Sequence, residues 1–556
     1  MKKIYLYVAF ALASIGMISC TDILDQDPLD SFTDEAVWND LALSETYLNA
    51  QYMNLMAENM KGTRFAHYTD EVFQKHTYGS ENVTQGLLSC DNAGIGWDDT
   101  MWDPWYSYYQ YISKLNLFLE KIDNVPGDET SRNEQKGQAL FLRAWNYHML
   151  YSLFGRVPIV DHTFDLDSSF ELQREDMDKV ADFIIKDLDE AAALLPIEYN
   201  DPNDFGRVTK GAALALKSRV LLYKASPLFG TPSTEKWQAA ANAAKAVFDL
   251  NKYYLKTVNN SEEYGALFYD VKNPEVIFEK LFDPKYGSGD NNSFLYQAPC
   301  GIGNGFQGWG NFNPTQNLVE SFLMKDGKTP GNSTKYEYNE KNDPYRDRDP
   351  RLELTVLHHG SSWLNTQLQT NFGGANNPSG AEYSRTSYYI SKFMKDYKTK
   401  SEYDSEALHL WVMYRYGEVL LNYAEALNEY QSAPSQDVYD AIIALRKRAG
   451  IDEDDNYGLG ALGSINKTDM RKIIQNERRI EMAFEEQRYW DIRRWRIAEE
   501  VFEKPLEGLN IQISGAVTTY YKINVLSTTF NVKRYFYPIP YSEVIKNKNM
   551  VQNPNW

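Results

Sequence analysis

The residues with the clearest potential for binding chemistry are aromatic. Of the 556 residues, 14% are Phe, Trp or Tyr, including 40 Tyr and 12 Trp. Tyr and Trp combine a flat apolar face with a polar edge, which suits stacking on the C–H faces of sugar rings. Most of these rings are expected to pack helices together. Trp309, however, stands between Gly308 and Gly310 and has little local packing role, so the sequence marks it as a candidate ligand contact.

The residue patterns that would predict catalysis or metal binding are weaker than this aromatic pattern. A glycoside hydrolase needs two carboxylates about 5 to 10 Å apart across a cleft, and no motif marks such a pair among the 77 acidic residues. No group of Cys and His has metal-site spacing, and His358-His359 is an isolated pair. We therefore expect no catalytic residues, no metal and no cofactor. Cys90 and Cys300 are the thiols left after Cys20, and the sequence leaves open whether they pair.

The charge of the chain restricts the classes of partner that it is expected to bind. The formal net charge is −20, and the loss of Lys2 and Lys3 with a signal peptide would make it more negative still. Such a surface repels nucleic acid and anionic membrane, so neither is an expected partner. Hydrophobic residues make up 43% of the chain, which is enough for a sizeable core.

The N-terminus predicts export. Lys2 and Lys3 precede a short apolar run from Ile4 to Ile18, and Ser19 then precedes Cys20. A run of about 15 residues is too short to cross a hydrocarbon core about 30 Å thick. A small residue before cysteine is typical of a bacterial lipoprotein signal, which predicts a signal peptide over 1–19, acylation of Cys20 and a polar tether over 20–32. The alternative is an ordinary signal peptide with a chance cysteine, and both place the protein outside the cytoplasm.

Helical periodicity predicts most of the scaffold. Asp103-Pro104 has the residue types that open a helix, with Asp as the cap and Pro in the first turn. The other predicted helices span about 33–52, 131–154, 175–195, 209–225, 234–250 and 409–430.

Two of these helices resemble each other. Lys136-Gly137-Gln138-Ala139-Leu140 recurs as Lys210-Gly211-Ala212-Ala213-Leu214. Small residues at fixed positions let neighbouring helices approach closely, and stacked helix pairs of this kind are typical of tetratricopeptide-like repeats.

The central part of the chain differs from the rest in residue composition and periodicity. Gly, Asn, Pro and aromatic residues replace helical periodicity over about 253–408, and short strands are predicted at Glu275–Phe278 and Leu352–Leu357. A long segment without helical signal in a helical protein is usually functional. Short strands are also expected within 505–539. We predict one mainly α unit over 33–556, with a tetratricopeptide-like scaffold (33–252 and 409–556) and a long, irregular, loop-rich ligand-binding insertion (253–408).

The segment from Asn476 to Trp495 is the most distinctive motif, and it reads NERRIEMAFEEQRYWDIRRW. Glu477, Glu481 and Glu485 recur at four-residue spacing, as on a solvated amphipathic helix whose exposed ion pairs add little stability. The interleaving of arginines with Phe, Tyr and Trp instead favours partly buried, bidentate ion pairs.

This motif resembles the C-terminal signature of the SusD/RagB-like nutrient-uptake lipoproteins of Bacteroidota outer membranes. Four further segments resemble the family in the same order along the chain: Cys20 with Asp22–Pro28, Tyr345–Leu352, Tyr537–Pro540 and Gln552–Trp556. The resemblance implies tetratricopeptide-type helices, lipid anchoring at the cell surface and a SusC-like TonB-dependent β-barrel partner. The lipoprotein would cap this barrel like a hinged lid and deliver a glycan or peptide.

The resemblance also implies where a ligand would bind. Family members bind glycans through an aromatic platform flanked by polar side chains, near early loops and the central insertion. Two segments fit this description, Gly94–Trp102 and Tyr296–Asn313, while two polar residues follow the first helix. The implied ligand contacts are Trp97, Trp309, Tyr296, Phe306, Asn311, Asp70 and Arg64; Asp98 and Asp99 are further polar candidates, and Trp102 is expected in the core.

Four functions are compatible with these observations. The first is non-catalytic capture of glycans for uptake, and the second is the same uptake role for peptides. The third is an extracellular glycoside hydrolase, which a product assay would reveal. The fourth is a helical scaffold that binds only protein, and the Gly- and aromatic-rich insertion argues against it.

Overall fold

Helices form the larger part of the molecule. The computed structural model describes residues 34–55, 65–76, 81–91, 95–96, 101–165, 171–258, 261–270, 272–282, 298–301, 308–376, 383–395 and 409–556. The predicted signal peptide and tether lie outside these ranges. Apart from a short distorted turn at Asp454–Tyr457, the α-helices are α1 (Asp34–Trp38), α2 (Leu41–Gln51), α3 (Glu81–Thr84), α4 (Pro104–Lys121), α5 (Glu129–Phe154), α6 (Met177–Leu194), α7 (Lys210–Ala225), α8 (Thr234–Phe248), α9 (Ser261–Gly265), α10 (Gln316–Ser321), α11 (Arg351–Thr355), α12 (Tyr416–Tyr430), α13 (Gln436–Ala449), α14 (Lys467–Glu481), α15 (Gln487–Arg494), α16 (Ala498–Val501) and α17 (Tyr541–Lys546).

Capping side chains set the starts of several helices. The Asp103 carboxylate accepts a hydrogen bond from the Tyr106 backbone N–H at 3.1 Å, and Pro104 occupies the first turn of α4, as predicted. Asp40 accepts from the backbone N–H of Ala42 at 2.7 Å. This cap begins a new helix, so the single helix predicted over 33–52 is wrong and is replaced by α1 and α2.

The two similar helices use their glycines in the same way. An added Cβ at Gly137 in α5 would lie 2.9 Å from Leu195, just after α6, and one at Gly211 in α7 would overlap the ring of Tyr253, beyond α8. Each glycine therefore lets a helix approach the end of the helix that follows it. Neighbouring helices pack in sequence from α4 to α8, and α12 packs on α8 and α13. This arrangement confirms the tetratricopeptide-like helical scaffold.

The strands of the described residues form antiparallel pairs. These pairs are β1 (Val72–Gln74) with β5 (Phe312–Pro314), β2 (Ile95–Gly96) with β3 (Met101–Trp102), β4 (Val276–Phe282) with β10 (His409–Arg415), β6 (Val356–Leu357) with β9 (Tyr389–Ile390), β7 (Ser362–Trp363) with β8 (Thr366–Gln367), and β11 (Leu506–Ser514) with β12 (Val517–Leu526).

Three sequence predictions need correction. The helix predicted from 409 begins only at Tyr416, because β10 pairs with β4 first, and its Tyr414 ring stacks on Phe278. The strand predicted over 352–357 is mostly helix α11, since Pro350 directly precedes it and suits a first helical turn. The short strands expected within 505–539 are two long ones, which pair from Leu506 to Leu526 as a hairpin.

The core draws on both ends of the chain. The largest hydrophobic cluster extends from Leu48 to Met550, and it includes Trp105, Tyr147 and Tyr489. The division of the chain into scaffold and insertion stays a prediction. Within the described ranges, every helix is too short or too polar to cross a bilayer.

Candidate functional site

The motif Asn476–Trp495 lies largely in the interior of the protein. Helix α14 ends at Glu481, and the chain then turns through Phe484 and Glu486, whose φ angles are 63° and 67°, before α15 begins. Glu485 therefore leaves the helical row that the sequence predicts. It still faces the same interior as Glu477 and Glu481, and all three are buried.

These glutamates belong to a buried network that we call the central ion cluster. Arg415 lies at its centre and contacts Glu275 at 2.8 Å, Glu481 at 2.7 Å and Glu485 at 2.7 Å. Burial by itself would raise the pKa of Glu481, but the charges of the surrounding arginines outweigh it and hold that pKa well below its usual range. The cluster comprises the carboxylates of Glu275, Asp349, Glu477, Glu481 and Glu485 and the cations of Arg351, Lys392, Arg415, Arg446 and Arg448.

The predicted burial of the motif arginines is confirmed. Arg478 and Arg494 are fully buried and share the carboxylate of Asp491, at 2.7 Å and 2.8 Å. The cluster also ties α14 to chain segments far from it in sequence, because Arg351 contacts Glu477 at 2.7 Å. The motif thus carries structure rather than an exposed binding surface.

Asp70, a predicted ligand contact, lies in a second buried ion pair. Arg488 donates to it in a bidentate manner at 2.9 and 3.1 Å, and Arg479 donates at 2.5 Å. Burial would raise the pKa of Asp70, but the two guanidinium charges outweigh this effect and lower it to about 2. Both carboxylate oxygens are committed to motif arginines, so Asp70 fixes the start of β1 against the motif.

The segment that follows Asp70, including β1, is hydrogen-bonded to β5. The backbone N–H of Thr315 donates to the Glu71 carbonyl at 2.9 Å, and β1 pairs with β5 from Val72↔Pro314 to Gln74↔Phe312. The Lys75 backbone N–H then donates to the carbonyl of Asn311 at 2.8 Å. The Asp70 ion pair fixes one end of this hydrogen-bond ladder, and the predicted aromatic contact, Trp309, lies at the other end.

Trp309 lies at the end of the ladder and is 43% exposed. The sequence predicts that the flanking glycines present its side chain, and their packing gives the reason. A Cβ at Gly308 would overlap the carbonyl of Ala298, and Gly310 has a φ of 51° and lies against the ring of Tyr389. The backbone on both sides of Trp309 is thus pressed into the protein while its ring faces outward.

Asn311, another predicted contact, is fully buried. Its side-chain oxygen accepts from the His76 backbone N–H at 2.6 Å. Asn313 has a similar part, since it donates to the Gly310 carbonyl at 2.8 Å and accepts from the Arg385 backbone N–H at 2.9 Å. Both asparagines therefore hold the loops around Trp309 in place.

Polar side chains surround the exposed Trp309 on the surface of the protein. The Lys75 ammonium donates to the Trp309 carbonyl at 2.6 Å, His76 follows it, and Arg385 is exposed where its loop meets Asn313. We call Trp309, Lys75, His76 and Arg385 the Trp309 surface. The sequence reasoning missed the last three, because only the β1–β5 pairing brings residues 75 and 76 beside 309. The predicted contacts Arg64, Trp97, Tyr296 and Phe306, the further candidates Asp98 and Asp99, and the lipidation residue Cys20 lie outside the described residues.

Other reactive residues have structural contacts. His358 stacks on Tyr345 with ring centroids 3.7 Å apart. The Sγ of Cys90 lies 3.3 Å from the Gln552 amide, whereas Cys300 is buried beside Gly310, so the two thiols contact different parts of the protein. Within the described ranges, no group of three or more His, Cys, Asp or Glu side chains is arranged to hold a metal ion.

Comparison with known proteins identifies the family. The SusD family model matches residues 274–556, which is more than half of the chain. The chain belongs to the SusD family. A second model, described as "Starch-binding associating with outer membrane", matches residues 24–222. The SusD-like protein P2 of Formosa agariphila is 24% identical over 98% of both chains.

Solved structures of SusD-like proteins share the fold. One from Bacteroides fragilis superposes with a TM-score of 0.80 at 26% identity, covering 96% of this chain and all of that one. A second B. fragilis structure, titled a SusD-like carbohydrate binding protein, has a TM-score of 0.75 at 25% identity over 92% of this chain and 99% of that one. A structure titled a laminarin binding SusD-like protein has a TM-score of 0.67 at 19% identity, over 93% and 100%.

Proposed function

We propose that this protein captures glycans, without cleaving them, on the Trp309 surface. The observation that carries the proposal is a tryptophan, 43% exposed, whose backbone lies at the end of a ladder of backbone hydrogen bonds. An indole face stacks on sugar C–H groups, while neighbouring cationic and imidazole groups bind hydroxyls. A backbone already fixed in place loses little conformational entropy when the side chain that it carries binds a ligand.

Family membership supports the ligand class. One matching family is described as starch-binding and associated with the outer membrane, and two structural relatives are titled as binding carbohydrate or laminarin. We propose a glycan as the ligand of this chain as well. Trp97, Tyr296 and Phe306 stay proposed contacts that would extend the aromatic platform.

The proposed setting is the outer face of the outer membrane. Acylation of Cys20 would anchor the protein there, and a SusC-like TonB-dependent transporter would receive the captured glycan. The basis for the anchor is the signal sequence, and the basis for the transporter is the family.

The test is binding of the soluble chain, starting after Cys20, to a panel of plant, microbial and host polysaccharides by calorimetry, with product analysis of every hit. We expect binding to at least one glycan and no shortened products. Shortened products from purified protein would replace capture by hydrolysis. Binding to casein-derived peptides but to no glycan would shift the uptake role to peptides.

A further inference from the structure

The charge of the Trp309 surface is opposite in sign to that of the whole chain. Asp and Glu outnumber Lys and Arg by 77 to 57 over the sequence. The described segments that meet around Trp309 are 72–76, 298–301, 308–314 and 383–390. They contain Lys75, His76 and Arg385 but no Asp or Glu.

Two carboxylates directly precede the first of these segments, and neither adds negative charge to the exposed surface. Asp70 is buried, and its two oxygens accept hydrogen bonds from Arg479 and Arg488. Glu71 is also buried, and burial raises its pKa to about 8, so it keeps its proton near neutral pH.

Lys75 lies directly beside Trp309. Its backbone N–H donates to the Asn311 carbonyl at 2.8 Å, which extends the β1–β5 ladder by one residue. Its ammonium donates to the Trp309 carbonyl at 2.6 Å, and this hydrogen bond lies at the exposed surface. Contacts at both ends of the lysine therefore hold its positive charge next to the backbone of Trp309.

Arg385 approaches the same loop from another segment. Asn313 connects them, because its amide donates to the Gly310 carbonyl at 2.8 Å and its oxygen accepts from the Arg385 backbone N–H at 2.9 Å. Arg385 is exposed and forms no ion pair with any described residue, including Glu507 on the neighbouring strand β11. A guanidinium of this kind can bind a carboxylate or sulfate through two parallel N–H groups.

These two cations bear on the charge of the ligand. The net charge of −20 repels an anionic polymer at long range, so capture of such a polymer requires local cations without competing carboxylates. A neutral glycan needs no cation, since stacking on the indole and hydrogen bonds to hydroxyls are sufficient. The composition of the Trp309 surface thus favours an anionic ligand.

We propose that the Trp309 surface captures an anionic glycan, in which a sugar ring stacks on Trp309 while carboxylate or sulfate groups bind Lys75 and Arg385. This inference rests on the proposed capture function and narrows its ligand class. Polysaccharides rich in uronic acids and sulfated polysaccharides share the required chemistry, which is a fixed negative charge on a ring with an apolar C–H face.

The test measures the affinity of the soluble chain, starting after Cys20, by calorimetry. The carboxylate probes are polygalacturonate, alginate and hyaluronan, the sulfate probes are chondroitin sulfate and carrageenan, and the neutral probes are starch, laminarin and galactomannan. We expect at least one anionic probe to bind. Methyl esterification or desulfation of that probe should weaken its binding at least about tenfold, because one charge-assisted hydrogen bond is lost at each sugar.

Charge substitutions locate this effect on the protein. Lys75→Gln and Arg385→Gln should each weaken binding of the anionic probe about tenfold, whereas Arg385→Lys keeps the charge and should lose less. Raising NaCl from about 50 mM to about 500 mM should weaken wild-type binding, and the double glutamine variant should respond less, because salt screens the removed charges. Arg346→Gln is the matched control, since Arg346 is exposed and pairs with Asp343 at the surface. Thermal melting of each variant confirms folding.

The outcomes separate this inference from the capture function. Equal or better binding of a neutral probe, lost in Trp309→Ala, would overturn the anionic assignment and leave capture intact. Anionic binding that the double glutamine variant retains in full would overturn it as well. Tyr106→Ala is the control for Trp309→Ala, because Tyr106 is 65% exposed and is not part of the Trp309 surface. No binding of any probe, or binding that Trp309→Ala leaves unchanged, would reject capture at the Trp309 surface and this inference with it.

Discussion

The central ion cluster and the Trp309 surface differ in which groups are buried and which are exposed. In the cluster, five carboxylates and five cations are buried and form ion pairs with one another. At the Trp309 surface, the buried groups are backbone amides and asparagines, and a single aromatic ring is left exposed. The first region therefore determines whether the chain folds, and the second is available to a ligand. Substitutions in the two regions should separate stability from binding.

Arg415→Met should have the largest effect on stability. Its removal leaves Glu275, Glu481 and Glu485 buried without their shared cation, which typically costs about 3–5 kcal/mol. Denaturant unfolding of the soluble chain measures the change. Arg346→Met is the control, because Arg346 is exposed and its ion pair with Asp343 lies at the surface, so its loss should cost about 0–1 kcal/mol. Equal effects of the two substitutions would contradict the role of the cluster.

Gly308→Ala tests the support beneath Trp309. The new methyl group would overlap the carbonyl of Ala298, and overpacking of this kind costs about 1–3 kcal/mol. We also expect weaker glycan binding, since the backbone that carries Trp309 must shift. Gly265→Ala is the matched control, because its Cβ would lie 3.6 Å from Tyr269 in ordinary contact. The interpretation fails if both alanines leave stability and binding unchanged.

The junction between the two regions should respond to pH. Burial, with a contribution from neighbouring Asp70, raises the pKa of Glu71 from 4.5 to about 8. The folded protein thus keeps a proton that the unfolded chain loses, and stability from this group falls as pH rises from about 4.5 to 8. Asp70 acts oppositely: its stabilisation is present above about pH 4 and is lost as pH falls toward 2, because its folded pKa is lowered.

Glu71→Gln isolates the first of these effects. Relative to the variant, the wild-type protein should lose stability between pH 5 and 8, by at most about 1.4 kcal/mol for each pH unit. Parallel stability curves for the two proteins over this range would contradict the raised pKa of Glu71. Urea unfolding at several pH values provides the measurement.

The sequence predicted the scaffold well and the site only in part. Periodicity located α5 to α8 within about two residues, and Asp103-Pro104 located the start of α4, because each of these helices has a capping residue type and an apolar face. It placed a helix over His409–Arg415, where pairing with β4 overrides local preference. The glycines on both sides of Trp309 correctly predicted that this residue is exposed. The places of Lys75 and Arg385 depend on long-range pairing, and the burial of Asp70 depends on arginines more than 400 residues away, so a local pattern does not reveal either.

Trp309→Ala should lower stability by only about 1 kcal/mol, since the residue is already 43% exposed and only part of its apolar surface is lost from the fold. It also gives the most direct test of glycan capture. The measurement is calorimetric titration of the wild-type, Trp309→Ala and Tyr106→Ala proteins with the polysaccharide that the wild type binds best. We expect Trp309→Ala to weaken binding at least about tenfold and Tyr106→Ala to leave it unchanged. Equal affinity of all three proteins would contradict the assignment of the Trp309 surface as the glycan site.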